Sequence, residues 1–242
     1  MPRDGRAMQA LIFDCDGVLV DTERDGHRVA FNRAFAEAEL AAEWSVERYG
    51  ELLSTGGGKE RMMRHFDEVG WPVPEGERTA LIKRLHARKT DIFMALIEAG
   101  ELPLRPGVER MIDAALDDDL TVAVCSTSNE RSVGAVVRVL LGPERARRIH
   151  IFAGDAVPSK KPDPAIYILA AKTLDLDPPR CVVVEDSHIG LRAARAAGMR
   201  CIVTVSGYTT DEDFTDADRV VRDLDDGVDL LLCRDLALSP SG

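Results

Sequence analysis

The stretch Ala10-Leu11-Ile12-Phe13-Asp14-Cys15-Asp16-Gly17-Val18-Leu19-Val20-Asp21 decides how this chain folds. Its first four residues are continuously apolar, the pattern of a strand covered on both faces in a parallel sheet. Two carboxylates two positions apart follow at once. Side chains at that spacing along an extended chain point the same way, so Asp14 and Asp16 leave the strand together. They do so at its C-terminal end, the edge at which open α/β sheets bind ligands. Taken alone, the segment also reads as an ordinary Asp- and Gly-rich turn.

Further short β-branched runs lie downstream, and they predict strands over 120–125, 149–152, 181–184 and 201–205, with a weaker one over 219–221. Helical patterns with readable ends separate them. Asn129 or Ser128 caps 130–141, Asp163 precedes a helix over 164–174 with Pro164 at its first position, and Ser187 opens 188–197 before Gly198. This alternation, from residue 105 onward, predicts an α/β fold with a Rossmann-like doubly wound parallel sheet. Between Asp21 and Leu102 the patterns are helical instead, over 26–40, 45–53, 59–69 and 77–98. Such a block reads as an all-helical cap domain (22–102) inserted into a discontinuous core (1–21 and 103–242). The return linker is Glu101-Leu102-Pro103-Leu104-Arg105-Pro106-Gly107, whose prolines and glycine break helix.

The other strand ends carry chemistry too. The second expected strand runs into Ser126-Thr127-Ser128-Asn129, hydroxyl-rich and feeding a helix N-terminus suited to an anion, or simply a helix cap. After the third comes Ser159-Lys160-Lys161-Pro162, and after the fourth Glu185-Asp186-Ser187. If these ends converge, the acids repel by a few kcal/mol per pair at ~4 Å and intermediate dielectric, and so call for a divalent cation. Oxygen ligands without His or Cys select Mg²⁺, which binds together with substrate phosphate. The residue pattern therefore points to phosphoryl transfer.

In order, Asp14-x-Asp16-x-Val18, Ser126, Lys161 and Glu185-Asp186 resemble the four motifs of the haloacid dehalogenase superfamily. The helical insert resembles the cap of its β-phosphoglucomutase-like branch. Leu52-Leu53-Ser54-Thr55-Gly56-Gly57-Gly58-Lys59-Glu60-Arg61 and His86-Ala87-Arg88-Lys89-Thr90 are similar to CbbY-type xylulose-1,5-bisphosphate phosphatases, which remove an inhibitory by-product of Rubisco in the Calvin cycle.

The resemblance implies that Asp14 is the nucleophile and forms an aspartyl-phosphate, while Asp16 is the general acid and base. Mg²⁺ is then held by Asp14, the Asp16 carbonyl and Asp186, with Glu185 acting through water or by orienting Asp186. Ser126, Thr127, Ser128 and Asn129 bind phosphoryl oxygens, and Lys161 neutralises their charge, with Lys160 the competing assignment. The glycines Gly56, Gly57 and Gly58, with Lys59 and Arg61, cradle a distal phosphate or merely turn between helices. Glu23 and His27, at i,i+4, contact sugar hydroxyls or serve capping and salt bridging. Lys89 meets the distal phosphate or faces water. The alternative activity is a β-phosphoglucomutase-like mutase or another sugar-phosphate phosphatase; a catalytically dead binding module is disfavoured because no core acid is missing.

Composition narrows the partners. The 242 residues carry 31 Lys and Arg against 42 Asp and Glu, a net charge of −11. That acidity disfavours nucleic acid and anionic membrane surfaces. No run approaches the ~18 apolar residues of a membrane span. Acids interrupt the first apolar run at once, unlike a signal peptide, and Met8 is an alternative start to Met1. Cys15, Cys125, Cys181, Cys201 and Cys233 form no C-x-x-C pair, as expected of reduced thiols. A cytoplasmic monomer acting on a phosphorylated sugar is the resulting expectation.

Overall fold

The computed structural model describes residues 8–55 and 57–238, apart from the side chain of Asp155. Gly56 and the choice of start within the first seven residues lie outside the described residues. Strand β1 (Ala10–Phe13) is followed by one turn of π-helix, Thr22–His27, and by helices α1 (Arg28–Glu37), α2 (Val46–Leu53), α3 (Gly58–Val69) and α4 (Arg78–Glu98). The chain continues through α5 (Val108–Asp117), β2 (Thr121–Ser126), α6 (Glu130–Leu140), α7 (Gly142–Ala146), β3 (Ile149–Ala153) and α8 (Ala165–Thr173). It ends with β4 (Cys181–Glu185), α9 (His188–Ala196), β5 (Arg200–Thr204), β6 (Arg219–Val221) and α10 (Leu230–Leu238).

The six strands form one parallel sheet in the order β3-β2-β1-β4-β5-β6, the doubly wound arrangement expected from the sequence. Continuous apolarity in β1 has a direct cause. Leu11 and Phe13 are as completely buried as Ala10 and Ile12, and the latter pair packs with Ile166, Tyr167 and Leu191. Register then sets the site: Phe13 lies beside Val124 of β2 and Val184 of β4. Asp14, Ser126 and Glu185 consequently emerge together at the C-terminal edge, where the Asp14 amide donates to Val184 O at 2.9 Å.

Helix ends follow the expected chemistry. Asn129 caps α6 by accepting from the Arg131 amide at 3.0 Å, Asp163 accepts from Ala165 at 2.9 Å, and Ser187 accepts from Gly190 at 3.3 Å. The first helical segment of the insert begins earlier than the expected residue 26, as the π-turn from Thr22. Gly26 permits it, because a Cβ there would come within 2.6 Å of Phe93.

The chain divides into two compact units, one of them Thr22–Leu102 and the other made by the segments flanking it. The former is helical, with no strand among its described residues. Its centre is aromatic: Trp44 stands 4.7 Å from Phe31, 5.0 Å from Phe35 and 5.5 Å from His65, ring centroid to centroid. Asn32 anchors the backbone of Trp44, accepting from its amide at 2.8 Å and donating to its carbonyl at 2.9 Å.

In the other unit, Arg105 gathers backbone. Its amide donates to Leu19 O at 2.9 Å. Its guanidinium donates to the carbonyls of Gly17, of Thr204 at 3.0 Å, and of Val205 and Arg222 at 2.7 Å each. All five cysteines are buried free thiols, and all lie in this unit. Among the described residues no helix is long and apolar enough to cross a membrane.

Candidate active site

Lys161 organises the C-terminal edge of the sheet. Its Nζ donates to Asp14 Oδ1 and Glu185 Oε1 at 2.7 Å each, and to Cys125 O at 3.1 Å, with the side chain only 4% exposed. It also lies 5.1 Å from the ring centroid of Tyr167, whose hydroxyl donates to Glu185 Oε1. Burial opposes the charge on Lys161, but the two carboxylates outweigh burial and hold its pKa above the ordinary lysine range. Neighbouring Lys160 points elsewhere, bonding Gly154 O at 2.7 Å and Thr127 O at 3.2 Å. Of the two lysines, Lys161 is the one that reaches the acids.

Asp14 is pushed up to about 7, first by burial and then by Glu185 and Asp16, against the pull of Lys161. Burial, with Asp14 and Glu185, likewise pushes Asp186 well above the ordinary carboxylate range. Carboxylate oxygens of Asp14, Glu185 and Asp186 lie within 4.8 Å of one another. So much uncompensated negative charge, on oxygen donors alone, fits a hard divalent cation. Glu185 has both oxygens engaged, since Oε2 accepts the Asp186 amide at 3.3 Å while Oε1 takes Lys161. Asp14 and Asp186 are then the side chains that could hold the ion directly, with Glu185 orienting them.

Gly17 is required by this geometry. Its φ is +77°, and a Cβ there would come 1.9 Å from Asp186 Oδ2.

Beside these acids, Ser128 donates its hydroxyl to Asp16 Oδ2, and the Ser128 amide donates to Ser126 Oγ at 3.1 Å. Ser126 Oγ itself stands 3.5 Å from Asp16 Oδ2. Asn129 has its side-chain oxygen in the α6 cap, and the Thr127 carbonyl is held by Lys160. The turn thus serves as a helix N-terminus and as the seat of Asp16 at once.

Within Thr22–Leu102 a second group of polar residues comes together. Tyr49 donates its hydroxyl to Glu23 and accepts from Arg61 Nη1 at 3.0 Å, and Arg61 lies 3.5 Å from Glu23. Lys89 Nζ meets His27 Nδ1 at 3.0 Å and sits over the rings of Phe31 and Phe93 at 4.9 and 5.2 Å. Lys89 is 9% exposed, so its helix does not turn it to water. Burial, and then Lys89, Arg61 and His86, hold His27 well below the ordinary histidine range. Burial and then Lys89 and Lys59 lower His86 in the same way. Glu23 and His27, i,i+4 on the π-turn, meet different partners, Tyr49 and Lys89. Gly57 and Gly58 open α3, Gly57 with φ +90°, while Lys59 is exposed.

A family model for haloacid dehalogenase-like hydrolases matches residues 8–198. The chain belongs to the haloacid dehalogenase-like hydrolase family. It is 64% identical over 215 residues to a CBBY-like protein of Arabidopsis thaliana, covering 87% of this chain and 67% of that one. Its fold matches CbbY from Rhodobacter sphaeroides in complex with phosphate, with TM-score 0.75, 40% identity, and coverage of 94% and 99% of the two chains. A mutant of that CbbY in complex with xylulose-(1,5)bisphosphate matches with TM-score 0.72 and 41% identity, covering 89% and 94%. This haloacid dehalogenase-like hydrolase is an enzyme of the CbbY-like phosphatase type.

Several residues of this hydrolase escape sequence reasoning. Tyr167 holds Glu185, Tyr49 joins Glu23 to Arg61, and His86 sits among the lysines of the insert. The sequence marks neither tyrosine, since a lone tyrosine on a helix reads as packing, and it marks His86 only as part of the stretch His86–Thr90.

Proposed function

We propose that this protein is a Mg²⁺-dependent sugar-bisphosphate phosphatase whose substrate is xylulose-1,5-bisphosphate, a by-product of Rubisco, and that Thr22–Leu102 is its inserted cap. One observation carries the choice of a bisphosphate. Lys59, Arg61 and Lys89 place positive charge around His27 and His86 in the insert, in a different unit from the acid–lysine cluster. The positive charge of the insert suits one phosphate, and the core cluster would suit another once it held a divalent cation. The relative that binds xylulose-(1,5)bisphosphate supports the same choice.

In this reading, Asp14, the Asp16 carbonyl and Asp186 would hold Mg²⁺, which would supply positive charge against the transferring phosphoryl group. An Asp14 carboxylate oxygen attacks phosphorus, the bond from phosphorus to the sugar oxygen breaks, and an aspartyl-phosphate forms. Asp16 gives its proton to the departing alkoxide. It then takes one from the water that attacks the aspartyl-phosphate, releasing inorganic phosphate and restoring Asp14. Ser126 and the amides of Thr127 and Ser128 bind the phosphoryl oxygens, and Lys161 follows their growing charge. Glu23 and His27 bind sugar hydroxyls, and Lys59, Arg61 and Lys89, with the amides of Gly57 and Gly58, hold the distal phosphate.

A phosphate-release panel tests this. Xylulose-1,5-bisphosphate should be preferred over ribulose-1,5-bisphosphate, Asp14→Asn should abolish release, and EDTA should suppress it until Mg²⁺ is returned. Isomerisation of glucose 1-phosphate, dependent on glucose 1,6-bisphosphate and exceeding phosphate release, would replace the proposal with a mutase.

A further inference from the structure

Asp16 stands beyond the end of the sheet. The β1 ladder reaches Phe13 and the Asp14 amide still bonds Val184 O, but Asp16 lies in the turn that follows. Bonds within that turn set its shape. The Gly17 amide donates to Val20 O at 2.7 Å, and the Leu19 amide to Cys15 O at 3.0 Å. Internal bonds of this kind leave open the direction in which the turn points.

Arg105 supplies that restraint. Its amide donates to Leu19 O at 2.9 Å, and its guanidinium to the carbonyl of Gly17, the residue next to Asp16. The same fork donates to Thr204 O at 3.0 Å and Val205 O at 2.7 Å, where β5 ends, and to Arg222 O at 2.7 Å, just past β6. In the sheet β5 is two strands from β1, with β4 between them. A rigid planar group bonded at both of its terminal nitrogens cannot follow a drifting turn, so the Gly17 carbonyl is held to the strand ends. Gly17 also abuts Asp186, whose Oδ2 lies 1.9 Å from where a Cβ would stand. The Asp16 carboxylate meanwhile accepts from the Ser128 hydroxyl. Ser128 thus holds the side chain of Asp16, and Arg105 the main chain beside it.

We propose that Arg105 is a positioning residue for Asp16, holding its turn so that the carboxyl meets the departing sugar oxygen. The proposal rests on the reading of Asp16 as the general acid. As the bond from phosphorus to the sugar oxygen breaks, the Asp16 proton passes to that alkoxide. Such a transfer needs heavy atoms within about 2.6–3.2 Å, so a small displacement of the turn removes it. A leaving group that is already a weak base, such as acetate or p-nitrophenolate, departs without a proton and does not sense the displacement.

The test compares kcat/KM, which covers the steps up to departure of the leaving group, for two substrate classes in the full-length protein with Mg²⁺. One is the sugar phosphate that the wild type hydrolyses best. The other is the activated pair acetyl phosphate and p-nitrophenyl phosphate. Arg105→Met should lose about 10-fold or more on the sugar phosphate, out of the roughly 10²–10⁴-fold that a general acid supplies, and change little on the activated pair. Arg105→Lys keeps the charge without the planar fork, and should show the same selectivity with a smaller loss. Asp16→Asn is the control and should be selective in the same sense. Thermal unfolding is recorded for each variant, and rates are taken where it is folded. An equal loss on both classes in the Arg105 variants, beside a selective loss in Asp16→Asn, overturns the positioning role alone. An equal loss in Asp16→Asn overturns the acid assignment and this proposal together. Should Arg105→Met fail to fold, Arg105→Lys decides: wild-type activity on both classes there overturns the proposal.

Discussion

Asp14 and Lys161 illustrate how single residues depend on one another at this site. A lysine with 4% of its side chain exposed is tolerable only because Asp14 and Glu185 both face it. Removing it strands two buried carboxylates. Lys161→Met should cost about 3–5 kcal/mol of stability, read from denaturant midpoints, and should abolish phosphate release as well. His27 yields a pH prediction. Its pKa in the native protein lies well below the ordinary histidine value, so as pH falls below about 6.5 the unfolded chain takes up a proton that the native chain does not. Its contribution to stability is therefore fully present above that value and lost below it. His27→Asn keeps an acceptor for Lys89 and removes the titration, so its melting temperature should decline less than that of the wild type between pH 7 and pH 5. Legibility at this scale follows the strand ends. Asp14, Ser126, Lys161 and Glu185 stand out because each directly follows or ends an apolar run, or sits between lysine and proline. Tyr49 does not, because its partners Glu23 and Arg61 are reached through tertiary contacts that leave no spacing in the sequence.

Among the elements, the sheet is the most readable part: alternation predicts a doubly wound parallel sheet, while the order of its strands comes from their pairing in the structure. Each strand is a short apolar run bounded by polar turns, and the β1 pairing with β2 and β4 aligns their ends within one residue. Helix α10 was harder. Leu-Leu-Leu-Cys at its start is a short apolar run that suits a strand equally well, and only tertiary packing decides. The π-turn at Thr22–His27 was also illegible, because it depends on Gly26 approaching Phe93 from a helix far along the chain. Arg105 sits in a segment that reads as a mere linker, yet it joins four carbonyls from three separate stretches. Arg105→Met would leave those carbonyls without their charged donor. A loss of about 3 kcal/mol or more should appear in urea unfolding, at about 1.5–3 kcal/mol per bond to a charged group less what water restores. Arg105→Lys should recover only part of it, since an ammonium cannot reproduce the planar fork.

At the scale of the whole molecule, a net charge of −11 describes the surface and conceals the insert's cationic group. Under the proposed function, bulk acidity and an anionic substrate are compatible, because Lys59, Arg61 and Lys89 supply local positive charge. Division into two compact units is legible as a change of pattern, from strand–helix alternation to helices alone. The five cysteines are the feature with the widest experimental reach. Burial pushes Cys181 and Cys233 up to about 12 and drives Cys15 and Cys201 well above the ordinary thiol range. At pH 8 the native chain should therefore react with a disulfide reagent far more slowly than a free thiol, and denaturant should release all five groups. A native thiol reacting at the free rate would contradict this burial. None of the five lies in Thr22–Leu102. Thiol exchange is thus a built-in clock for the opening of the parallel-sheet unit, blind to unfolding confined to the helical insert.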